Sequence, residues 1–223
     1  GRGKDRMGGS GLDQTLSYTN HESPYINKLD DLLSYYEFSQ ELIRKNLLNA
    51  YHDRSDGGLI TTLIEMAFVS NMSVDLENVS KRSKTELIRF LFNEELGGVF
   101  AIDKKYQKEF IKLAQKYHLE AFIHDIGDLL KKDKPTLKIA SCNYSEPISK
   151  LRKYWSELSY LIQSERDNKK TALSEYNAKI NSHQTNQEHL IPKLHYRVSG
   201  ISKKYLSKKN KPKIAIFREQ GVN

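Results

Sequence analysis

Apolar side chains recur every three or four positions in five stretches of the chain, the spacing that places them along one face of an α-helix. The stretches are 29–48, 59–69, 83–94, 106–117 and 148–167. The second is apolar around most of its circumference, so we expect that helix to be buried. Ser83, with Glu86 three residues later, has the pattern of a capping box and predicts the start of the third helix. In the fourth, Phe110, Ile111 and Leu113 are expected to face inward.

Short apolar or alternating stretches between these helices predict strands at 49–53, 72–76, 97–102, near 121–126 and at 137–141. Because strands alternate with helices, we expect residues 1–141 to form one layered domain of the α/β or α+β class.

The pattern changes after Pro147, where the long predicted helix carries an apolar stripe and has the character of a connector. Polar residues dominate 168–210 and indicate a weakly ordered linker or a segment that wraps the surface. We therefore expect a helical connector and linker over 142–210. The apolar run at 212–217 predicts the first strand of a truncated next domain, over 211–223.

The chain has 36 basic and 28 acidic residues and a formal net charge of +8. The excess lies mainly in lysine clusters at 131–134 and 203–213, which are interpreted either as solvated loops or as the anion-binding face of a non-enzymatic nucleic-acid-binding module. Stacking aromatic residues are not interleaved with these lysines, which favours solvated loops.

Cys142 is the only cysteine, which excludes a disulfide within the chain. No apolar run reaches the ~18–20 residues needed to cross a bilayer, so we expect a soluble, cytoplasmic protein.

The stretch 51–58 (Tyr-His-Asp-Arg-Ser-Asp-Gly-Gly) concentrates polar side chains and glycines between a predicted strand and a predicted helix. Asp53 offers a hard oxygen that suits a magnesium ion, and Ser55 offers a donor to a phosphate or a ribose. Glycines beside a helix N-terminus, with its unpaired N–H groups, suit the approach of an anion. The alternative is structural: Ser55 or Asp56 caps the helix and the glycines form the turn.

The run 50–59 (Ala-Tyr-His-Asp-Arg-Ser-Asp-Gly-Gly-Leu), with Glu-Met-Ala-Phe at 65–68, resembles the second synthetase half of the large single-chain phosphoribosylformylglycinamidine synthases. Four further segments keep the same order: 1–4 with 8–10, 91–97, 155–157 with 166–168, and 218–223. Together the segments span nearly the whole chain. The resemblance implies an α+β fold over 1–141, like the C-terminal domain of aminoimidazole ribonucleotide synthetase, with a mixed sheet and helices on one face.

The resemblance also implies a function. Members of this family use ATP and glutamine to convert formylglycinamide ribonucleotide to its amidine. The resemblance assigns Asp53 to a magnesium ion and Ser55 to the nucleotide. It implies Mg²⁺ and ATP or ADP as bound groups, with the other ligands upstream of this chain. No residue of the chain is assigned a catalytic role, and the chain alone is expected to be inactive. The implied partners are the first synthetase half, the glutaminase domain and a small-molecule nucleotide, without a membrane or a nucleic acid.

Three other polar features leave alternatives open. Asn93, Glu94 and Glu95 either contribute carboxylates to a cleft or, as we expect, solvate a helix end. His52 adjoins the proposed metal ligand but is expected to be packed rather than catalytic. The glycine-rich segment 1–11 is either a flexible terminus or a place where backbone approaches a phosphate or another part of the chain closely.

Overall fold

The computed structural model of the protein describes residues 4–19, 21–79, 82–181, 193–196, 200, 213 and 215. The chain divides into two compact units, Gly1–Thr185 and Asn186–Asn223, and the elements described below belong to the first. The helices are α1 Gly11–Leu16, α2 Leu29–Arg44, α3 Gly58–Ser70, α4 Lys84–Phe92, α5 Gln107–Lys116, α6 Ile148–Arg166 and α7 Lys169–Asn181. The strands are β1 Ala50–Asp53, β2 Ser73–Asp75, β3 Gly98–Ala101, β4 Asp128–Leu130, β5 Thr136–Ile139 and β6 Tyr144–Pro147.

The strands form two sheets. β1 and β3 pair antiparallel, with Asp53 opposite Gly98. The other four strands follow the order β4-β2-β5-β6, in which β2 and β5 are parallel and the outer pairs are antiparallel. This mixed sheet, together with the helices, confirms the predicted α+β class.

The buried apolar residues form two clusters that meet at β3. The first joins α3 and α4 to β2 and β5, with Leu137 fully buried at its centre. The second joins α2 to α5, where the rings of Phe38 and Phe110 lie 5.3 Å apart between centroids. Successive side chains of a strand point to opposite faces. Val99 accordingly belongs to the first cluster, while Phe100 packs against the second.

The five helices predicted from apolar spacing are all present, with ends shifted by a few residues. Ser83 and Glu86 form the predicted capping box at the start of α4. The inward orientation predicted for Ile111 of α5 is wrong, because this residue is 36% exposed, whereas Phe110 and Leu113 are buried. None of the described helices is both long enough and apolar enough to cross a membrane.

The strand predicted near 121–126 is wrong, because the chain there makes a 3₁₀ turn at Glu120–Phe122 and forms β4 only after Gly127. β6 was not predicted, since its residues are polar and mostly exposed at the sheet edge. The linker predicted from residue 168 is also wrong at its start, where α7 packs against α6 with the rings of Tyr160 and Tyr176 stacked at 4.6 Å.

The remaining predictions for the C-terminal part fall on residues 182–192, 197–199, 201–212, 214 and 216–223, outside the described residues. They include the rest of the linker, nearly all of the second lysine cluster and the strand at 212–217. The domain boundaries near 141 and 210 stay predictions. The first lysine cluster lies exposed between β4 and β5.

Candidate functional site

The candidate site is the loop that leads from β1 into α3. Asp53 ends the strand and Gly57 and Gly58, with φ of 82° and 74°, turn the chain into the helix. The buried hydroxyl of Thr62 lies 3.2 Å from the carbonyl oxygen of Asp53 and 3.1 Å from that of Gly58, and its single proton is shared between them. A side chain of α3 therefore binds the backbone of the loop, while Asp53 and Ser55 are exposed.

The Asp53 carboxylate is hydrogen-bonded by a tyrosine from its own strand. Tyr51 Oη donates to Asp53 Oδ1, and the hydroxyl of Tyr35 on α2 lies 2.8 Å from that of Tyr51. Burial raises the pKa of Tyr51 above its ordinary value, and the hydrogen bond to Asp53 adds to this rise. The Tyr51 hydroxyl is therefore protonated at neutral pH and remains a donor.

His52 lies beside this carboxylate but is held by two contacts of its own. Its Nδ1 is 2.7 Å from the carbonyl oxygen of Asp53, and its Nε2 is 3.1 Å from a carboxylate oxygen of Glu65 on α3. The ring thus connects the strand end to the helix, which agrees with the expectation that this histidine is packed.

Asp53 fits a magnesium ion as one ligand of several. It is an exposed carboxylate at a strand end, and carboxylate oxygen is a ligand that this ion prefers. Among the described residues no group of three or more histidine, cysteine, aspartate or glutamate side chains is arranged to hold a metal. The roles of Asp53 and Ser55 stay predictions.

The N–H groups of the two loop glycines at the start of α3 are already paired, so these two are not the free donors expected there. Gly57 N donates to Glu94 Oε1 at 2.8 Å, and Gly58 N donates to the carbonyl of Ser55 at 3.0 Å. The same Glu94 oxygen accepts from Gly11 N at 2.8 Å. A protein carboxylate therefore accepts from the backbone at the start of α3, where its negative charge suits the positive end of the helix.

The expectation that residues 93–95 solvate a helix end is also wrong. Asn93 and Glu95 are buried, at 0% and 1% exposure. Glu95 Oε2 accepts from Arg6 Nη2 at 2.9 Å, and Asn93 Nδ2 donates to Asp5 Oδ1 at 3.1 Å. Burial raises the pKa of Glu95, but the hydrogen bonds and charge of Arg6 outweigh this and hold the pKa below its ordinary value.

The glycine-rich N-terminal segment packs beside the loop rather than forming a flexible terminus over its described residues. Arg6, Met7 and Ser10 are buried. A Cβ at Gly8 would lie 2.3 Å from the carbonyl oxygen of His21, so glycine there allows two parts of the chain to approach closely. Sequence patterns gave no sign of these contacts, because the residues that meet lie far apart along the chain.

A groove of about 1050 Å³ runs along the loop side of the molecule. Its lining includes Tyr35, Arg54 and Gly98 next to the loop, and apolar residues of both clusters beyond them. Its volume lies just above the usual range of small-molecule pockets, which is roughly 300–1000 Å³.

Comparisons with known proteins place this site inside a family match. Residues 5–140 match the model described as AIR synthase related protein, C-terminal domain. Similar solved structures include T. maritima PurL complexed with ATP, at 16% identity and a TM-score of 0.41 over 52% of this chain and 20% of that one. The structure of PurLQS from Thermotoga maritima matches at 14% identity and a TM-score of 0.47, over 64% of this chain and 24% of that one.

The chain thus spans about a fifth to a quarter of the length of these structures. Its family match covers more than half of its own length and includes both sheets and the candidate loop, apart from the last strand. The chain belongs to the family of AIR synthase related proteins and contains their C-terminal domain.

Proposed function

We propose that this chain is part of a phosphoribosylformylglycinamidine synthase, the ATP-dependent carbon–nitrogen ligase of purine biosynthesis that takes its amide nitrogen from glutamine. Family membership supports a synthetase of this broad type. The finer assignment is supported by the five ordered segments of the sequence, two of which, at 155–168 and 218–223, lie beyond the family match.

The observation that carries the proposal is the placement of Asp53. Its carboxylate is exposed at the carboxyl end of β1, immediately before the loop with Ser55, and a tyrosine hydroxyl holds one of its oxygens. In the proposed site Asp53 binds a magnesium ion and Ser55 contacts the nucleotide. Bound magnesium and ATP would supply charge neutralisation and phosphoryl transfer to the amide oxygen of the substrate.

The contribution of this chain to the reaction is binding and positioning. Asp53 and Ser55 hold the metal and the nucleotide, and the paired backbone of the loop keeps both side chains at the end of β1. The catalytic groups and the remaining ligands belong to other parts of the synthase, the first synthetase half and the glutaminase domain, which are the proposed partners.

The test is Asp53→Asn in the complete synthase. This substitution keeps size and hydrogen bonding but removes the charge that a hard divalent cation needs. We expect nucleotide retention to fall and to lose its dependence on Mg²⁺. If the nucleotide is structural, the thermal midpoint falls with it, because a ligand that binds only the folded state stabilises that state.

Asp56→Asn is the matched control, since Asp56 is an exposed aspartate of the same loop. It should leave both quantities near those of the wild type. Unchanged nucleotide content and midpoint in Asp53→Asn would remove Asp53 from the site and leave only the structural interpretation of the loop, in which the glycines form the turn.

A further inference from the structure

Two tyrosine hydroxyls connect helix α2 to the Asp53 carboxylate. Tyr51 and Asp53 lie two positions apart on β1, so their side chains share one face of the strand. Tyr51 Oη donates to Asp53 Oδ1, and a phenol has a single proton to donate. The 2.8 Å contact between the two hydroxyls must therefore use the proton of Tyr35. The result is a directed chain from Tyr35 to Tyr51 to the carboxylate.

The rings of both tyrosines are fixed by their neighbours. Phe100 on β3 packs against each of them, with centroid distances of 6.2 Å to Tyr35 and 5.0 Å to Tyr51. Ser39 Oγ also donates to the carbonyl oxygen of Tyr35 at 2.8 Å, one turn along α2. The hydroxyl chain is thus built on a strand and a helix, not on mobile loop residues.

Gly98 makes room for this arrangement. It lies opposite Asp53 in the pairing of β1 with β3. A Cβ at this position would lie 2.3 Å from Tyr35 Oη and 2.8 Å from Tyr51 Cε2. Gly98 does not have a positive φ, so the space taken by the two tyrosines, and not the backbone conformation, requires glycine here. Gly98 on β3 therefore provides the space in which the side chains of Tyr35 and Tyr51 meet.

We propose that Tyr51, held in place by Tyr35, is a positioning residue for the magnesium ligand Asp53. This inference rests on the proposed function. The donated hydrogen bond fixes the rotamer of the carboxylate and leaves Oδ2 for the cation. Hydrogen-bonding partners of metal ligands orient them in this way, and their loss commonly costs metal affinity about 10–100-fold.

Tyr51→Phe in the complete synthase tests the inference, because it removes the hydroxyl and keeps the ring against Phe100. The measured quantity is the Mg²⁺ concentration that gives half-maximal retention of ADP, with the thermal midpoint recorded without Mg²⁺ or nucleotide. We expect the Mg²⁺ requirement to rise about tenfold, with a smaller rise in Tyr35→Phe. A contact that only packs α2 against the sheet would instead lower the midpoint and leave the Mg²⁺ requirement unchanged.

Tyr36→Phe is the matched control, because Tyr36 is the next residue of α2 and its side chain is 60% exposed. It should change neither quantity. Gly98→Ala perturbs the hydroxyl chain from β3 and should raise the Mg²⁺ requirement as well; if it fails to fold, the two tyrosine variants still decide the matter.

Asp53→Asn separates this inference from the proposed function. If Asp53→Asn abolishes the Mg²⁺ dependence and Tyr51→Phe behaves like the wild type, the positioning role is overturned while the proposed site stands. If neither variant changes the Mg²⁺ dependence, Asp53 is not a metal ligand and both proposals fall.

Discussion

Arg6 and Glu95 lie 89 residues apart in the sequence and form an ion pair in which the side chains are only 3% and 1% exposed. Arg6 Nη2 reaches Glu95 Oε2 at 2.9 Å and the carbonyl oxygen of Tyr25 at 2.8 Å. The pair anchors the N-terminal segment beside the candidate loop. Arg54, the residue after Asp53, donates through Nε to the backbone carbonyl of the same Glu95 at 2.6 Å, so the anchor and the loop share one residue.

Glu95→Gln should destabilise the fold strongly. The variant removes the buried charge that compensates the guanidinium of Arg6, and breaking one partner of a buried pair costs much more than losing an exposed one. We expect the thermal midpoint to fall by roughly 5–10 °C. Glu22→Gln is the control, because Glu22 approaches the same guanidinium at 3.7 Å from a side chain that is 60% exposed. It should shift the midpoint by no more than ~2 °C. Equal shifts in the two variants would contradict a special role for the buried pair.

The same pair predicts a pH dependence. The pKa of Glu95 is lowered in the folded state relative to its ordinary value of 4.5. A carboxylate with a depressed pKa contributes stability that is complete above the ordinary value and is lost as the pH falls through the folded value. The difference in unfolding free energy between wild type and Glu95→Gln should therefore be constant above pH 4.5 and shrink below it. Denaturant unfolding at a series of pH values measures this difference, and other acidic residues cancel because both proteins carry them. A difference that grows on acidification would show that the sign is wrong.

Local features of the fold could be predicted from the sequence more completely than features that depend on long-range contacts. The start of α4 was predictable, because Ser83 and Glu86 interact across a single turn. The end of β1 at Asp53 was predictable from the glycines and polar residues that follow it. α7 was missed although Asn168 gave a usable signal, since its side-chain oxygen accepts from the backbone N–H of Lys170 and Thr171 as a helix cap does.

The surroundings of the loop could not be predicted, because they depend on residues brought together by the fold. Glu94 contacts Gly11 and Gly57 at sequence separations of 83 and 37 residues. Hydrophobic spacing carries no information about such polar contacts, and a glutamate before a glycine pair is normally solvated. The hydroxyl chain from Tyr35 to Asp53 was missed for the same reason, since helix α2 and strand β1 meet only in the folded chain.

Gly58→Ala should test why this loop contains glycine. A Cβ at Gly58 would lie 2.7 Å from the carbonyl carbon of Phe92 and 2.8 Å from the carbonyl oxygens of Leu91 and Asn93. Close approach of α3 to the end of α4 therefore explains the residue, in place of the approach of an anion. Alanine at a positive φ costs about 1–2 kcal/mol by itself, and the clash with backbone should add roughly 1–3 kcal/mol.

Gly9→Ala is the matched control for that experiment. Gly9 has a similar φ of 79°, but nothing lies within 4 Å of a Cβ placed there. It should lose only the conformational part, about 1–2 kcal/mol. The two unfolding free energies, measured by denaturant titration, should differ clearly; equal losses would mean that helix packing at Gly58 relaxes without cost.

Glu94→Ala should loosen the candidate loop and the N-terminal segment together. One carboxylate oxygen accepts hydrogen bonds from the N–H groups of Gly57 and Gly11. Gly57 directly precedes α3, and Gly11 is the first residue of α1. Alanine leaves both donors without this acceptor, and a donor that loses a charged acceptor in a partly buried position is exposed to local opening. Native-state hydrogen exchange should therefore speed up at the Gly11 and Gly57 amides by about tenfold or more, which corresponds to roughly 1.4 kcal/mol of local opening free energy. Exchange at the amide of Gly58, which donates to the carbonyl of Ser55, serves as the internal reference for the loop. Faster exchange at both the Gly11 and Gly57 amides, with a smaller effect at Gly58, would show that one carboxylate couples the two segments. Faster exchange at Gly11 alone would show that Glu94 holds only the N-terminal segment.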